Sequence, residues 1–274
     1  MCGFVFLRYN IAMSLWAQKR QFTYISIFVL IIIIALSFPV YYFFIRHQDS
    51  CFDGIQNQNE EGIDCGGVCT KVCVPSSQSP LVHWQRFFKV VDGVYSVVAE
   101  VENPNVNVYA DSLPYRFRLY DENGVVVGER TGSAFMLPNT IFPIFESGVQ
   151  TGQRVPIRAS FEFSNNTPDW QKRPYQLPKL VIIDQTLASS TSVTATSSAK
   201  IEATVQNQSD FPATNIEVVA LVFDSNNNAI AASHTIVDQI DARSSTQVVF
   251  TWPAPFSVPV SKIEIVPKVL PRFN

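Results

Sequence analysis

The sequence predicts one membrane-spanning helix, then a disulfide-stapled knot, then two tandem β-sandwiches. Three observations carry this. A run of 24 residues without a charge, Phe22–Ile45, lies near the N-terminus. Four of the chain's five cysteines crowd just beyond it. The rest of the chain alternates polar and apolar residues in short runs broken by turn signals, the pattern of sandwich strands.

The 274 residues allow one large or two modest domains. A formal net charge of -3 with no basic stripe argues against a nucleic-acid partner. The three histidines, His47, His83 and His234, lie far apart, which leaves little material for a histidine-based metal site or triad.

Residues 1–21 read as a cytoplasmic stub and 22–45 as the transmembrane helix, whose partner is the lipid bilayer. At 1.5 Å per residue the run spans about 36 Å, against about 30 Å of hydrocarbon. Tyr24, Tyr41 and Tyr42 lie near its edges, and Lys19, Arg20 and Arg46 close it off. The rival is a cleaved signal peptide with Ala35-Leu36-Ser37 at the cut. Eight further apolar residues follow that site, and the run exceeds a signal-peptide core of roughly 7–15 residues. Arg8, Lys19 and Arg20 precede the span without an acidic residue, whereas Asp49, Asp53, Glu60, Glu61 and Asp64 follow it. The positive-inside bias therefore puts the N-terminus in the cytoplasm and the remainder outside. Met13 opens a more ordinary signal anchor, which makes residues 1–12 a candidate misassigned start.

Residues 46–80 form the cysteine module and linker. Cys51, Cys65, Cys69 and Cys73 follow C-x13-C-x3-C-x3-C, an even clustered set that reads as two disulfides in an oxidising compartment. Three pairings are open. A four-thiolate zinc site is the alternative, although neither spacing is the usual CxxC knuckle. Asp53, Asn57, Asn59, Glu60, Glu61 and Asp64 also offer hard oxygen ligands, which makes them a candidate calcium set. The plain alternative is a solvated acidic loop, with no cofactor.

The stretch C-x-D-G-x-x-N-x-x-E-x-G-x-D-C-G-G-x-C resembles a short Cys-rich repeat of bacterial extracytoplasmic proteins. The match runs through Cys51, Asp53, Gly54, Asn57, Glu60, Gly62, Asp64, Cys65, Gly66, Gly67 and Cys69. The resemblance implies a surface-exposed bacterial setting and a stapled spacer.

Residues 81–178 and 179–274 read as the two sandwiches. Asp92-Gly93 between FFKVV and VYSVVAEV is a strong hairpin cue. Tyr95, Val97, Ala99 and Val101 share one face of a strand, as do Tyr115, Phe117 and Leu119, and as do Val155, Ile157, Ala159, Phe161 and Phe163. The second half repeats the first: VAEVENP aligns with EATVQNQ, and FRLYDENG with ALVFDSNN, both at an offset of about one hundred residues. The boundary falls near Pro178, after KRPYQLPK.

Phe117-Arg118-Leu119-Tyr120-Asp121 resembles the motif of the FxLYD family, whose members are similar to immunoglobulin-like sandwiches of the bacterial envelope. The likeness covers residues 81–178. In 179–274 the counterpart Ala220–Asp224 keeps the aspartate and an aromatic before it, so that copy is a divergent relative. The resemblance implies binding or spacer modules and supplies no catalytic residues.

No carboxylate pair, GxSxG elbow or glycine-rich phosphate loop is present. Glu100 and Glu102 read as a solvated strand face, Ser189–Ser198 as a polar edge or loop, and His83 as an ordinary surface residue. Tyr109, Phe142, Phe145, Trp170, Trp252 and Phe256 lie near turns and prolines, either as partner anchors or as plugs for the core ends. The expectation is a non-enzymatic, membrane-anchored binding or scaffold protein with a protein partner at the cell surface. The alternative is a non-catalytic subunit of a larger envelope assembly, such as a secretion or pilus system. Strung in tandem, sandwiches each about 26 Å across would hold their loops some tens of ångströms from the anchor.

Overall fold

Helix α1 spans Leu15–Val40. It begins before the uncharged run because i,i+4 contacts carry the helix through its polar flank. Arg20 stacks on the Trp16 ring at 4.8 Å, and the Thr23 hydroxyl donates to the Lys19 carbonyl. Pro39 lies in the last turn, and Tyr41–Tyr42 end the segment in a wider turn. This is a computed structural model that describes residues 15–42, 50–73, 77–164, 168–172, 174–189 and 198–273. The stub to residue 14, the 43–45 end of the expected span and residues 46–49 lie outside the described residues. The 22 residues Lys19–Val40, with mean hydropathy 2.5, are exposed all round and rest on nothing else among the described residues. They are long enough, at about 33 Å, to cross a hydrocarbon core.

The first sandwich has two three-stranded antiparallel sheets. In one, β2 (Val94–Asn103) lies between β1 (Leu81–Val91) and β5 (Thr140–Gln150). In the other, β3 (Ala110–Tyr120) lies between β4 (Val126–Met136) and β6 (Arg158–Phe163). Alternation fills the core: Val97, Ala99 and Val101 face Leu113, Tyr115, Phe117 and Leu119 across it. Strand β6 starts at Arg158, so Val155 and Ile157 are exposed in the preceding loop rather than on a core face.

The second sandwich repeats this topology. Strand β9 (Ala199–Asn207) lies between β8 (Leu180–Ser189) and β12 (Ser245–Trp252), and β10 (Ala213–Phe223) between β11 (Ala229–Ile240) and β13 (Lys262–Lys268). Two polar devices recur with it, the first buried and the second at the surface. Asn103 Nδ2 donates to the carbonyls of Val108 and Leu137, and Asn207 Nδ2 to those of Phe211 and Ile240. Each asparagine ties the loop after its strand to the far end of a later strand. Asp121 Oδ1 accepts the N–H groups of Asn123 and Val125, and Asp224 Oδ1 those of Asn226 and Asn228. Both aspartates therefore build the same hairpin turn by bonding their own backbone.

The sandwiches do not extend end to end. They lie side by side, with the outer face of β1-β2-β5 packed on that of β11-β10-β13. Val98 and Phe145 from the first meet Val219, Leu221, Phe223, Ala229 and Ala232 from the second, with Trp84 and Phe88 against them. Phe145 also packs on the His234 ring, and Arg86 donates to the Asn228 side chain. Strands β2 and β10 are thus buried on both faces. Fully burying a Val, Leu or Phe side chain contributes about 1.5–3 kcal/mol, so this seam outweighs the entropy of a short linker. Two short strands, β7 (Tyr175–Gln176) and β14 (Arg272–Phe273), pair across the molecule and return the C-terminal segment to the level of the domain crossing.

Replacing Asn103 by alanine removes the donor from two carbonyls, and replacing Asn207 removes it from three. Each variant is expected to lose about 1–3 kcal/mol, measurable as a lowered urea midpoint with an unchanged slope.

Candidate functional site

The module from Cys51 to Cys73 is closed by Cys51–Cys69 and Cys65–Cys73, so all four sulfurs are in disulfides and none is a thiolate. The links cross, enclosing separations of 18 and 8 residues. The chain folds tightly between them because several residues take left-handed backbone: Gly66 and Gly67, but also Gln58, Asn59 and Asp64. Gly67 tolerates nothing larger, since a Cβ there would lie 2.0 Å from the Asn59 carbonyl oxygen. A Cβ on Gly62 would press on Cys65 Sγ at 3.0 Å.

The structure brings the predicted oxygen ligands Asp53, Asn57, Glu60 and Asp64 into one network. Asp64 Oδ1 accepts the N–H groups of Asp53 and Gly54, at 3.0 and 3.1 Å. Asp53 accepts from the Ile55 and Ser50 N–H groups and from Asn57 Nδ2. Glu60 is buried, and its Oε2 accepts the N–H groups of Asn57 and Asp64 at 3.2 Å each. Its Oε1 lies 3.0 Å from Cys69 Sγ. Asn59 contributes its backbone, packed against Gly67. Chemically, this is a scaffold in which carboxylates replace the backbone partners that a helix or sheet would supply.

The module is docked on the first sandwich rather than hanging free. Val72 N–H donates to the Trp170 carbonyl, Lys172 N–H to that of Thr70, and Tyr109 and Gln171 exchange backbone bonds. Gln78 and Asn105 lock the linker to the same end through side-chain bonds. The expected aromatic group resolves likewise into plugs. Tyr109, Phe142 and Trp170 are nearly fully buried in or beside the first core, and Phe145 lies in the seam. Trp252 and Phe256 meet edge to face and pack against the second core. His83 bonds Glu102 at 2.8 Å, and Trp84 Nε1–H donates to Glu100. Most of Ser189–Ser198 lies outside the described residues.

Three further features were not found from sequence. The first is the seam itself, signalled by the almost unbroken apolar run Val218–Phe223, since a strand with one wet face alternates. The second is a polar group beside it: Tyr115 O–H donates to Glu146 Oε1 at 2.7 Å, and Arg130 Nε to Glu146 Oε2. Burial and the Glu146 carboxylate both push the Tyr115 hydroxyl well above its ordinary pKa, so it stays a donor. The third is an exposed aliphatic group at the end of the first sandwich away from the cysteine module. There Val125, Val155 and Ile157 line an open depression with Asp121 and Arg154. Val155 and Ile157 are 68% and 65% exposed.

Neither a described protein family nor a curated protein matches this sequence. Among solved structures, red sea bream transglutaminase is similar at 13% identity and a TM-score of 0.24. The match covers 70% of this chain and 29% of the transglutaminase, so the chain spans under a third of that enzyme's length. The N-terminal CBM22-1–CBM22-2 tandem domain of Paenibacillus barcinonensis Xyn10C is similar at 9% identity and a TM-score of 0.15, over 78% of this chain and 92% of that one. At these scores neither bears on the function of the chain.

Glu60→Ala leaves the Asn57 and Asp64 N–H groups without their buried acceptor, at about 1–3 kcal/mol per group. Limited proteolysis is expected to cut this variant faster within residues 50–73, with the thermal midpoint of the sandwiches little changed.

Proposed function

We propose that this chain is a membrane-anchored, extracytoplasmic binding or scaffold protein of the bacterial envelope, without catalytic activity. The observation that carries the reading is the order of its parts. An all-round apolar helix on which none of the other described residues pack is followed closely in sequence by a module whose cysteines are all disulfide-bonded. The first needs a hydrocarbon solvent. The second belongs to an oxidising compartment. Lys19 and Arg20 before the span favour a cytoplasmic N-terminus.

The module docks on one end of the first sandwich, and the turns at Asp92–Gly93 and Asp121–Gly124 and the loop at 151–157 lie at the other end. Their exposed aliphatic residues are the surface offered to a protein partner. The Phe117–Asp121 motif supports an FxLYD-type immunoglobulin-like identity for that sandwich. Polar groups that would otherwise suggest chemistry are used structurally, Glu60 on backbone N–H groups and Glu146 on Tyr115 and Arg130. Calcium would enter this reading as a further clamp on Asp53, Asn57, Asn59, Glu60 and Asp64. The second reading, a subunit of a larger envelope assembly, uses the same surface with a stoichiometric partner.

The test is alkylation of the full chain, purified from an oxidising host and denatured without reductant, followed by intact mass with and without a chelator. One modified cysteine, Cys2, and four protected ones are expected in both arms. Cysteines that become modifiable only after chelation would mean a metal centre and overturn the stapled module. A mass lacking residues up to Ser37 would replace the anchor by a cleaved signal. In whole cells, added protease is expected to remove the sandwiches, and full protection until lysis would overturn the orientation.

A further inference from the structure

A cavity of about 150 Å³ opens between the sandwiches where β5 passes β13. Leu137 and Phe142 of the first sandwich, Leu177 and Pro178 of the connection, and Val266 and Val269 of the second wall it with apolar surface. Lys268 is its one charged wall residue. The Lys268 ammonium lies 4.2 Å from the centroid of the Phe142 ring. Among the described residues no carboxylate stands within ion-pair distance of it. Its cross-strand neighbour Glu217 acts only at longer range.

Packing does not explain this cation. The two sandwiches share a topology, and the positions matching Glu217 and Lys268 in the first are Pro114 of β3 and Ser164 just past β6, which face each other in the same register. The charged pair is therefore particular to the second copy, in which this sheet of the two enters the seam. Burial holds the Lys268 pKa below the usual lysine value, with Glu217 opposing that effect. An ammonium among apolar walls without a close counter-charge is costly, and a bound anion would supply what it lacks. The cavity has room for a benzene-sized body.

We propose that this cavity binds a small organic anion, its acid group on the Lys268 ammonium and its apolar body against Phe142, Leu177 and Val269. Because its walls come from both sandwiches and the connection, the occupant holds them together. The inference does not depend on the anchor reading, since a cleaved chain would keep the same cavity.

The probe is benzoate, titrated into the full chain in a neutral detergent and followed by ligand-observed NMR and thermal shift. Benzyl alcohol serves as the uncharged comparison. Wild type is expected to bind benzoate at millimolar concentration or better, roughly tenfold more tightly than the alcohol. Lys268→Met should erase that preference while the alcohol still binds and the thermal midpoint holds. Lys268→Arg should keep the preference. If wild type shows no benzoate signal at roughly 10 mM, or if Lys268→Met keeps the preference, the proposal fails.

Discussion

The packing of one sandwich on the other is the constraint on which the rest of the structure depends. Strands β2 and β10 each bury both faces, one in their own core and one in the seam. The two contributing sheets are not equivalent: the first sandwich offers β1-β2-β5, whereas the second offers β11-β10-β13. The contact is therefore head-to-tail, and a head-to-tail contact between similar units can propagate without limit. The other two faces of these copies are not dressed for such a contact, because the duplicated faces have diverged. Where β10 carries Val219 and Leu221 into the seam, β3 carries Arg116 and Arg118 among Glu129 and Glu162. Where β2 carries Val98, β9 carries Glu202 beside Lys200 and Gln247. Of the outer faces, that of β4-β3-β6 carries an arginine–glutamate network and that of β8-β9-β12 the Lys200–Glu202 pair, whereas the inner two are apolar.

That arrangement governs the sheet edges too. Strands β5 and β13 run along the rim of the seam, and each carries a proline, Pro143 and Pro267. A residue without an N–H weakens an edge as a template for further strands. The same rim holds Lys268 and its cavity. The seam is thus closed to strand addition while leaving a concave space small enough for a single ligand.

The cysteine module illustrates a different economy. Twenty-odd polar residues have no hydrophobic core, so cross-links and carboxylates take its place. Each crossed disulfide constrains the unfolded chain by about 3 kcal/mol in the chain-entropy account. Asp53, Glu60 and Asp64 then collect the backbone N–H groups that such a tight path leaves over. The glycines and acids between Cys51 and Cys69 are accordingly folding requirements: glycines where Cβ has no room or the backbone is left-handed, acids where N–H groups converge. Through Val72 and Trp170 the module is continuous with the first sandwich, so the segment nearest the apolar helix is tied to the body.

By itself the sequence determined the local elements and the duplication. An uncharged run longer than the hydrocarbon is thick dictates a helix. Period-two alternation in Tyr95–Val101 and Tyr115–Leu119 dictates which side chains fill a core, because strand geometry leaves no choice of face. The aligned pairs Asn103 with Asn207 and Asp121 with Asp224 recur because loop closure in both copies needs the same local bonds. Four cysteines implied two disulfides but not their pairing, which depends on how left-handed residues fold the intervening chain. Only the tertiary structure decided the rest. That the copies lie side by side, that Tyr109 and Trp170 are plugs rather than anchors, and that Lys268 faces Phe142 all depend on contacts between residues tens to more than a hundred positions apart. Such contacts follow from how whole surfaces fit, a property that no local period encodes.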